Sequence, residues 1–234
     1  MPDNPLILLF VKAPIKGRVK SRLAAVLGQD AALELYRSFV LDILATIEMT
    51  GIPCRVCYHP PDSGDIAKGW LGDHLQYLPQ EGKDLGERME QSFRRAFSED
   101  ASRAILIGSD IPDLPPEILR EAMNRLDRTG AVIGPAKDGG YYLIGFRKEA
   151  FFPGIFRGQE WSADRVLLKT LKIFEQEQRE VFSLPSWQDV DTIDDLKDLI
   201  KRGQSSAFSK SRTMSRLAGI KSGLFLTEVR DGKV

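Results

Sequence analysis

Two aspartates lie at positions in the sequence where a metal ion could be bound. Asp110 follows the apolar run 104–107, which is short enough for a buried strand, and Pro112 stiffens the turn after it. A carboxylate at the end of a buried strand suits a hard cation such as Mg²⁺, which prefers oxygen ligands and leaves room for substrate phosphates. Asp191 stands immediately before a helix start at Thr192 and would supply a second carboxylate. Alternatively, Asp110 hydrogen-bonds its own turn and Asp191 caps the helix.

A basic loop between an apolar run and a helix start could bind a phosphate group. The run 6–11 predicts a strand covered on both faces, and Pro14 and Gly17 mark the next segment as a loop. Main-chain N–H groups and a helix dipole attract an anion, which Lys and Arg side chains neutralise. The segment lacks the Walker A pattern, and a solvated charged loop is the alternative. Its cations are Lys12, Lys16, Arg18, Lys20 and Arg22.

A third segment combines an acid, two glycines and aromatic residues. Asp138 precedes Gly139 and Gly140, where the main chain can approach a ligand closely, and Tyr141 follows. Asp138 is a candidate to bind an acceptor or to act as a base. Because Asp-Gly is also a hairpin signal, a simple turn is the alternative. Trp161, further along, either covers a pocket or only packs.

Strand and helix patterns alternate along the chain and predict how these segments are positioned. The alternation indicates a mostly parallel sheet with right-handed crossovers, and 234 residues suit one three-layer α/β/α domain. Ligands bind at the carboxyl ends of the strands in such sheets. Thr192 and Asp195 predict a capping box at the last helix. Strands are predicted at 6–11, 54–58, 75–78, 104–107, 131–134, 141–146 and 181–184, and helices ending near 47, 71, 97, 126, 177 and 202.

Composition excludes several classes of protein. Lys plus Arg and Asp plus Glu both number 33, so the net charge is zero, which argues against a nucleic-acid partner. No apolar run approaches the roughly 20 residues of a transmembrane segment. The first residues, 1–5, lack the basic region of a secretory signal, so we expect a cytoplasmic enzyme.

Cys54 and Cys57 have the spacing of a redox or zinc motif, but their context favours neither. The segment 54–58 has a strand pattern, in which residues three apart point to opposite faces. No second cysteine pair is present to complete a zinc site. We therefore expect two buried strand cysteines.

The composition changes after the last predicted helix. From Gly203 onward the chain is rich in Ser and basic residues, and 205–222 contain no acid. We interpret 1–202 as the catalytic domain and 203–234 as a basic C-terminal appendage.

Five motifs in this order resemble those of the nucleotide-diphospho-sugar transferase superfamily, which has the glycosyltransferase-A type of fold. The chain is most similar to a bacterial glycosyltransferase family related to arsenosugar-type transferases and to phospholactate guanylyltransferase. The resemblance covers about residues 5–202. The motifs are Lys-x-Pro-x-x-Gly-x-Val-Lys-Ser-Arg-Leu at 12–23, Asp-Leu-Gly-Glu-Arg-Met at 84–89, Gly-Ser-Asp-Ile-Pro at 108–112, Asp-Gly-Gly-Tyr-Tyr-Leu-Ile-Gly at 138–145 and Asp-Val-Asp-Thr at 189–192.

The resemblance implies a role for each motif. Asp110 and Asp191 would hold Mg²⁺ or Mn²⁺, Asp138 and Lys20 would take part in catalysis, and segment 84–88 would lie beside the base or ribose. The acceptor would contact Asp138, Gly139, Gly140, Tyr141 and Trp161. The residues implied to bind the nucleotide are Lys12, Ala13, Pro14, Gly17, Arg18, Lys20, Arg22, Asp84, Gly86 and Ser109.

Two departures from the superfamily pattern leave the reaction open. The Asp-x-Asp of many glycosyltransferases is reduced to Ser109-Asp110, with Asp113 three residues on, and the Gly-rich loop of nucleotidyltransferases is replaced by the basic loop. The first hypothesis is metal-dependent glycosyl transfer from a nucleotide-diphosphate sugar to a small-molecule or lipid acceptor. The alternatives are nucleotidyl transfer from a nucleoside triphosphate to a phosphorylated small molecule, with pyrophosphate release, and a non-catalytic nucleotide-binding module.

Overall fold

A mixed sheet of seven strands lies at the centre of the molecule. The structure is a computed structural model that describes residues 3–161 and 165–220. Within these residues the strand order is β3-β2-β1-β4-β6-β5-β7. The strands are β1 (Pro5–Lys12), β2 (Cys54–His59), β3 (Gln76–Pro79), β4 (Arg103–Ile107), β5 (Ala131–Pro135), β6 (Tyr141–Arg147) and β7 (Phe182–Ser183).

Helices cover both faces of this sheet. Side chains of α2, α3 and α5 share a core with one face, and side chains of α4 and α6 share a core with the other. The prediction of a three-layer α/β/α domain is therefore confirmed. In the described part of the chain the helices are α1 (Ser21–Leu27), α2 (Gln29–Glu48), α3 (Gly64–Leu71), α4 (Leu85–Ser98), α5 (Pro116–Thr129), α6 (Val166–Gln176), α7 (Ile193–Gln204) and α8 (Arg212–Gly219).

The central strand β1 shows why the sequence forms these layers. Its continuous apolar run places alternate side chains on opposite faces. Ile7 and Leu9 join one core and Leu6 and Leu8 join the other, and all four are buried. A strand apolar on both faces is stable only between two layers of helices.

One strand runs against the others. β6 pairs antiparallel with both β4 and β5, whereas β1–β2, β1–β4, β2–β3 and β5–β7 are parallel pairs. β5 and β6 form a hairpin whose turn contains residues 136–140, so the Asp-Gly signal does mark a turn. The sheet is mostly parallel, as predicted.

The strand order places a crevice at the carboxyl end of β1. From β1 the chain moves to β2 and β3 on one side and to β4 on the other, so the order reverses between β1 and β4. Loops that leave neighbouring strands in opposite directions at such a point leave a crevice where ligands bind.

The segment after 202 begins as a packed part of the domain. α7 extends to Gln204, and α8 lies against α2. Asp42 of α2, almost fully buried, accepts hydrogen bonds from the main-chain N–H groups of Arg212 and Thr213, at 3.0 and 2.8 Å. The described half of the predicted appendage is thus anchored to the domain.

Some predictions lie outside the described residues. These are the predictions for residues 1–2 and for the tail from 221 to 234.

Both cysteines lie in β2 as predicted, but Cys57 is buried whereas Cys54 is only partly buried. Cys57 is buried in the core on one face of the sheet, while Cys54 packs against the core on the other, and both are free. In the described residues no helix has the length and apolar character needed to cross a membrane.

Candidate functional site

A cleft of about 630 Å³ opens at the predicted crevice. Its walls come from the ends of β1, β2 and β4, the start of α4, the β5–β6 hairpin and the segment before α7. The polar side chains that line it are Lys12, Arg22, Tyr36, His59, Gln80, Arg88, Ser109, Asp110, Asp138, Tyr141, Tyr142, Asp189 and Asp191.

The structure brings Asp110 and Asp191 together around one ammonium group. Lys20 Nζ lies 2.7 Å from Asp110 Oδ1 and 2.8 Å from Asp191 Oδ1, and donates to the main-chain oxygen of Val190 at 2.8 Å. The ammonium therefore donates hydrogen bonds to Asp191 and Val190 and forms an ion pair with Asp110. The Lys20 side chain is 3% exposed, whereas the Asp110 and Asp191 side chains are 41% and 46% exposed. Both acids consequently keep a face open to the cleft.

Main-chain hydrogen bonds fix the relative positions of the two acids. The Val190 N–H donates to the main-chain oxygen of Asp110 at 2.9 Å, which joins the two loops. Thr192 and Asp195 form the predicted capping box, and the Asp195 carboxylate also accepts from the N–H of Asp191 at 3.2 Å. The alternative in which Asp191 caps α7 is wrong, because Thr192 is the cap.

Lys20 is charged despite its enclosure. Burial by itself lowers the pKa of the lysine, but the carboxylates of Asp110 and Asp191 outweigh burial and raise the pKa above its ordinary value. Lys20 immediately precedes α1 as its N-cap residue, in a left-handed conformation with φ 48° that is uncommon for a residue with a side chain. The geometry gives Lys20 the two acids as partners and leaves it out of the cleft lining.

Asp189 is a further acid at the site. Its Oδ1 atom is buried and has no hydrogen-bond partner among the described residues. Burial, followed by the charges of Asp110 and Asp138, raises the pKa of Asp189 to about 8. The sequence analysis gives Asp189 no role, although the Asp-Val-Asp pattern points to it. In an extended segment residues 189 and 191 lie on one side, while Val190 enters the core.

Cations gather where β1 and β2 end. Lys12 pairs in register with His59, and Arg88 of α4 lies near the same histidine. The His59 Nδ1 atom is buried without a partner among the described residues. Burial, followed by the charges of Arg88 and Lys12, lowers the pKa of His59. Arg88 belongs to the segment 84–88 that the resemblance places beside the base or ribose, whereas nothing in the sequence analysis points to His59.

Lys12 is held by a buried tyrosine. Tyr36 Oη accepts from the Lys12 N–H at 2.7 Å and donates to the Lys12 oxygen at 3.0 Å. It also lies 3.5 Å from Ser109 Oγ. Tyr36 therefore ties the end of β1 to the residue before Asp110.

Several residues predicted to bind the nucleotide lie elsewhere. Ala13 and Pro14 are buried, and Gly17 and Arg18 are exposed outside the cleft lining. Asp84 caps α4 by accepting from the Glu87 N–H at 2.9 Å. From the basic loop and the start of α1, the cleft receives the side chains of Lys12 and Arg22 only, among the described residues that line it.

Gly86 supports the cleft by a close approach. A Cβ added to this glycine would lie 2.6 Å from Trp161 Cζ2 and would also meet the main-chain oxygen of Phe156. Trp161 packs edge-on against Tyr141, with ring centroids 6.3 Å apart. Gly86 is thus the place where the indole lies on the start of α4.

The hairpin supplies the remaining wall. Asp138 Oδ1 accepts from the Gly140 N–H at 2.9 Å, which closes the turn, and the side chain also lines the cleft. Tyr141 Oη and Trp161 Nε1 are buried without a partner among the described residues. Buried polar atoms are nearly always paired in proteins, so these atoms are groups that a ligand could satisfy.

Asp113 has a structural role. Arg202 Nε donates to its Oδ2 at 2.6 Å, and Trp187 Nε1 donates to its Oδ1 at 3.2 Å. With both oxygens engaged, Asp113 ties the loop after β4 to α7.

Comparison with known proteins places the chain in a family. Residues 43–163 match the family described as "Uncharacterized protein conserved in bacteria (DUF2064)". The chain belongs to this family. Among curated proteins there was no significant match.

Solved structures similar to this family member share its fold. A protein from Desulfovibrio desulfuricans G20, provisionally described as a nucleotide-diphospho-sugar transferase, is 42% identical over 93% of this chain and 95% of its own, with a TM-score of 0.90. The 4-diphosphocytidyl-2C-methyl-D-erythritol synthase of Anaerococcus prevotii DSM 20548 is 13% identical over 86% and 96% of the two chains, with a TM-score of 0.56. A CMP:2-keto-3-deoxy-manno-octonic acid synthetase complexed with CTP is 10% identical over 87% and 100%, with a TM-score of 0.53.

The acids of this family member suit a hard divalent cation. Within residues 3–161 and 165–220 no three or more His, Cys, Asp or Glu residues form a complete metal cage. Asp110 and Asp191 offer oxygen ligands on their exposed faces, and Mg²⁺ is commonly held by one or two carboxylates with waters and substrate phosphates. The donor set therefore fits a metal that binds together with a phosphorylated substrate.

Proposed function

We propose that this protein is a metal-dependent glycosyltransferase that uses a nucleotide-diphosphate sugar. The observation that carries the proposal is the convergence of Asp110 and Asp191 on the buried Lys20 ammonium, with the exposed faces of both acids lining the cleft. The relative from Desulfovibrio desulfuricans, 42% identical, supports the same class of donor substrate.

We assign the donor diphosphate to the space between the acids and the cations of the cleft. Asp110 and Asp191 would hold Mg²⁺ or Mn²⁺, which supplies positive charge for the departing diphosphate. Lys12, Arg22 and Arg88 would bind the phosphate oxygens, since all three line the cleft. Lys20 would position the two acids, because its ammonium is enclosed and contacts both carboxylates.

We assign the acceptor to the hairpin side of the cleft. The bond between the anomeric carbon and the diphosphate oxygen breaks, a bond from that carbon to an acceptor oxygen forms, and the acceptor proton passes to the Asp138 carboxylate. Tyr141 and Trp161 would donate hydrogen bonds to the acceptor, a small molecule or a lipid, from the two buried atoms that lack partners.

The test is a thermal-shift screen of nucleotide sugars with and without Mn²⁺, followed by turnover assays on the ligands that bind. We expect stabilisation by one nucleotide sugar that depends on Mn²⁺, and release of nucleoside diphosphate on transfer. The Asp110→Asn variant should lose turnover and keep its fold, whereas the control Asp194→Asn, an exposed acid at the start of α7, should keep turnover.

Two other outcomes would replace the proposal. Release of pyrophosphate from a nucleoside triphosphate would indicate a nucleotidyltransferase. Nucleotide binding without metal and without turnover would indicate a binding module. Full activity of Asp110→Asn would remove its assigned role.

A further inference from the structure

A buried glutamine lies in the cleft where β1, β2 and β3 end. Gln80 follows β3 and is 4% exposed. Its main-chain N–H donates to the Tyr58 oxygen at 2.9 Å. Its side-chain Nε2 donates to the Cys57 oxygen at 2.7 Å and to the Val11 oxygen at 3.3 Å. The side chain is therefore tied to both β2 and β1.

These partners fix the orientation of the Gln80 amide. Both are carbonyl oxygens, which only accept hydrogen bonds, so the NH₂ group must face them and the amide cannot be reversed. Two N–H bonds serve two acceptors, and the nitrogen has no donor left. The amide oxygen Oε1 is then the group that Gln80 can offer to a ligand.

The cleft that contains Gln80 suits a flat heteroaromatic group. Phe10, Val11, Leu85 and Met89 also line the cleft, and apolar walls with a few fixed polar groups are typical of small-molecule sites. A carbonyl acceptor among apolar side chains selects for a ligand N–H.

The strand order places this position beside a bound diphosphate. Gln80 contacts β1 and β2, whereas Asp110 follows β4 on the other side of β1. Lys12, at the end of β1, lies between them in the sheet. A nucleotide whose diphosphate lies at the acids can extend across the end of β1 toward Gln80.

We propose that Gln80 selects the nucleobase of the donor by accepting, at Oε1, a hydrogen bond from an N–H on the edge of the base. This inference rests on the proposed function, since it assigns the base end of the same nucleotide. A base that presents a lone pair at this position is repelled by Oε1, and a base with no polar group leaves Oε1 unpaired.

The test is a titration calorimetry cycle on the intact protein with Mn²⁺. UDP, CDP, ADP and GDP are titrated first. The tightest of them is then compared with its analogue methylated at the edge nitrogen: N3-methyl-UDP, N4,N4-dimethyl-CDP, N6,N6-dimethyl-ADP or N1-methyl-GDP. Both ligands are titrated into the wild type, Gln80→Met and the control Gln76→Met, an exposed glutamine of β3 that lies outside the cleft.

We expect methylation to weaken binding about tenfold or more in the wild type and in Gln76→Met. In Gln80→Met the parent and methylated ligands should bind within about twofold of each other, because the acceptor is gone. An equal methylation penalty in wild type and Gln80→Met would overturn the role of Gln80. Failure of all four diphosphates to bind the wild type would instead overturn the proposed function.

A second measurement covers the case in which Gln80→Met does not fold. A crystal structure of the wild type with the tightest-binding diphosphate should show Oε1 within hydrogen-bond distance of a base nitrogen. A base bound away from Gln80 would overturn the inference.

Discussion

The positive charge of Lys20 lies between Asp110 and Asp191 and connects three segments of the chain. Its ammonium joins the start of α1 to the loop after β4 and to the segment before α7. Removing a cation from an enclosed position leaves the carboxylates facing each other without compensation. The resulting loss of stability is moderated here because the carboxylates of both acids are partly exposed to solvent.

We expect Lys20→Met to lower the free energy of unfolding by about 1–3 kcal/mol in the absence of divalent ions. Because a metal ion can replace the lost charge, Mn²⁺ should stabilise Lys20→Met more than it stabilises the wild type. Urea unfolding with Mn²⁺ and with chelator measures both effects. The control is Lys16→Met, which removes a lysine of the same loop whose partner Asp30 is exposed. Equal Mn²⁺ stabilisation in all three proteins would contradict this view of Lys20.

Gly86 is the second residue whose identity the cleft requires. We expect Gly86→Ala to displace Trp161 and to lower the free energy of unfolding by about 1–3 kcal/mol, because the new methyl group meets the indole and a main-chain oxygen. Transfer to the acceptor should slow as well, since Trp161 lines the cleft and is assigned to the acceptor.

The matched control for Gly86 is Gly69→Ala in α3. A Cβ at Gly69 has nothing within 4 Å, so alanine should stabilise the helix by about 0.5–1 kcal/mol. Urea unfolding of both variants gives the comparison. If Gly86→Ala raised the free energy of unfolding as Gly69→Ala does, or left it unchanged, the close approach to Trp161 would carry no cost.

At the scale of elements, α8 depends on a carboxylate that belongs to another helix. Asp42 lies in α2 with its side chain 6% exposed, and it accepts from two main-chain N–H groups at the start of α8. Hydrogen bonds to a charged group are stronger than neutral ones, and loss of the acceptor leaves buried donors unpaired.

We therefore expect Asp42→Ala to lower the free energy of unfolding by about 2–3 kcal/mol and to release α8 from α2. Limited proteolysis should cleave the variant faster in the connection 205–211, and urea unfolding should report the stability. Asp30→Ala, an exposed acid of the same helix, is the control. Proteolysis at an unchanged rate in Asp42→Ala would contradict this anchoring role.

The elements could be predicted from sequence where the signal is local. The apolar run of β1 and the Thr192–Asp195 capping box depend on residues close together in the chain, and both are present as predicted. The Asp-Gly signal does not fix the direction of β6, because that pattern also suits a ligand-binding loop.

Contacts between distant segments could not be predicted. Lys20 is 171 positions from Asp191 in the chain, and no local pattern pairs them. The same holds for Asp42 with Thr213 and for Gln80 with Val11. The sequence motifs identified the loops at the cleft, while the partner of each side chain depended on the folded sheet.

For the whole molecule, the sheet order brings opposite charges to one cleft. β1 lies between β2 and β4, so the cations near His59 and the acids after β4 meet at a single crevice although the chain as a whole has no net charge. Such an arrangement suits a substrate that is anionic at its phosphates and that also brings a metal ion.

The most direct test of the account is a crystal structure with Mn²⁺ and the tightest-binding nucleoside diphosphate, recorded with anomalous scattering. We predict one manganese peak in coordination with the carboxylates of both Asp110 and Asp191, with the diphosphate bound to the same ion and the base toward Gln80. Manganese bound away from both acids, or a nucleotide bound outside the cleft, would contradict the central claim.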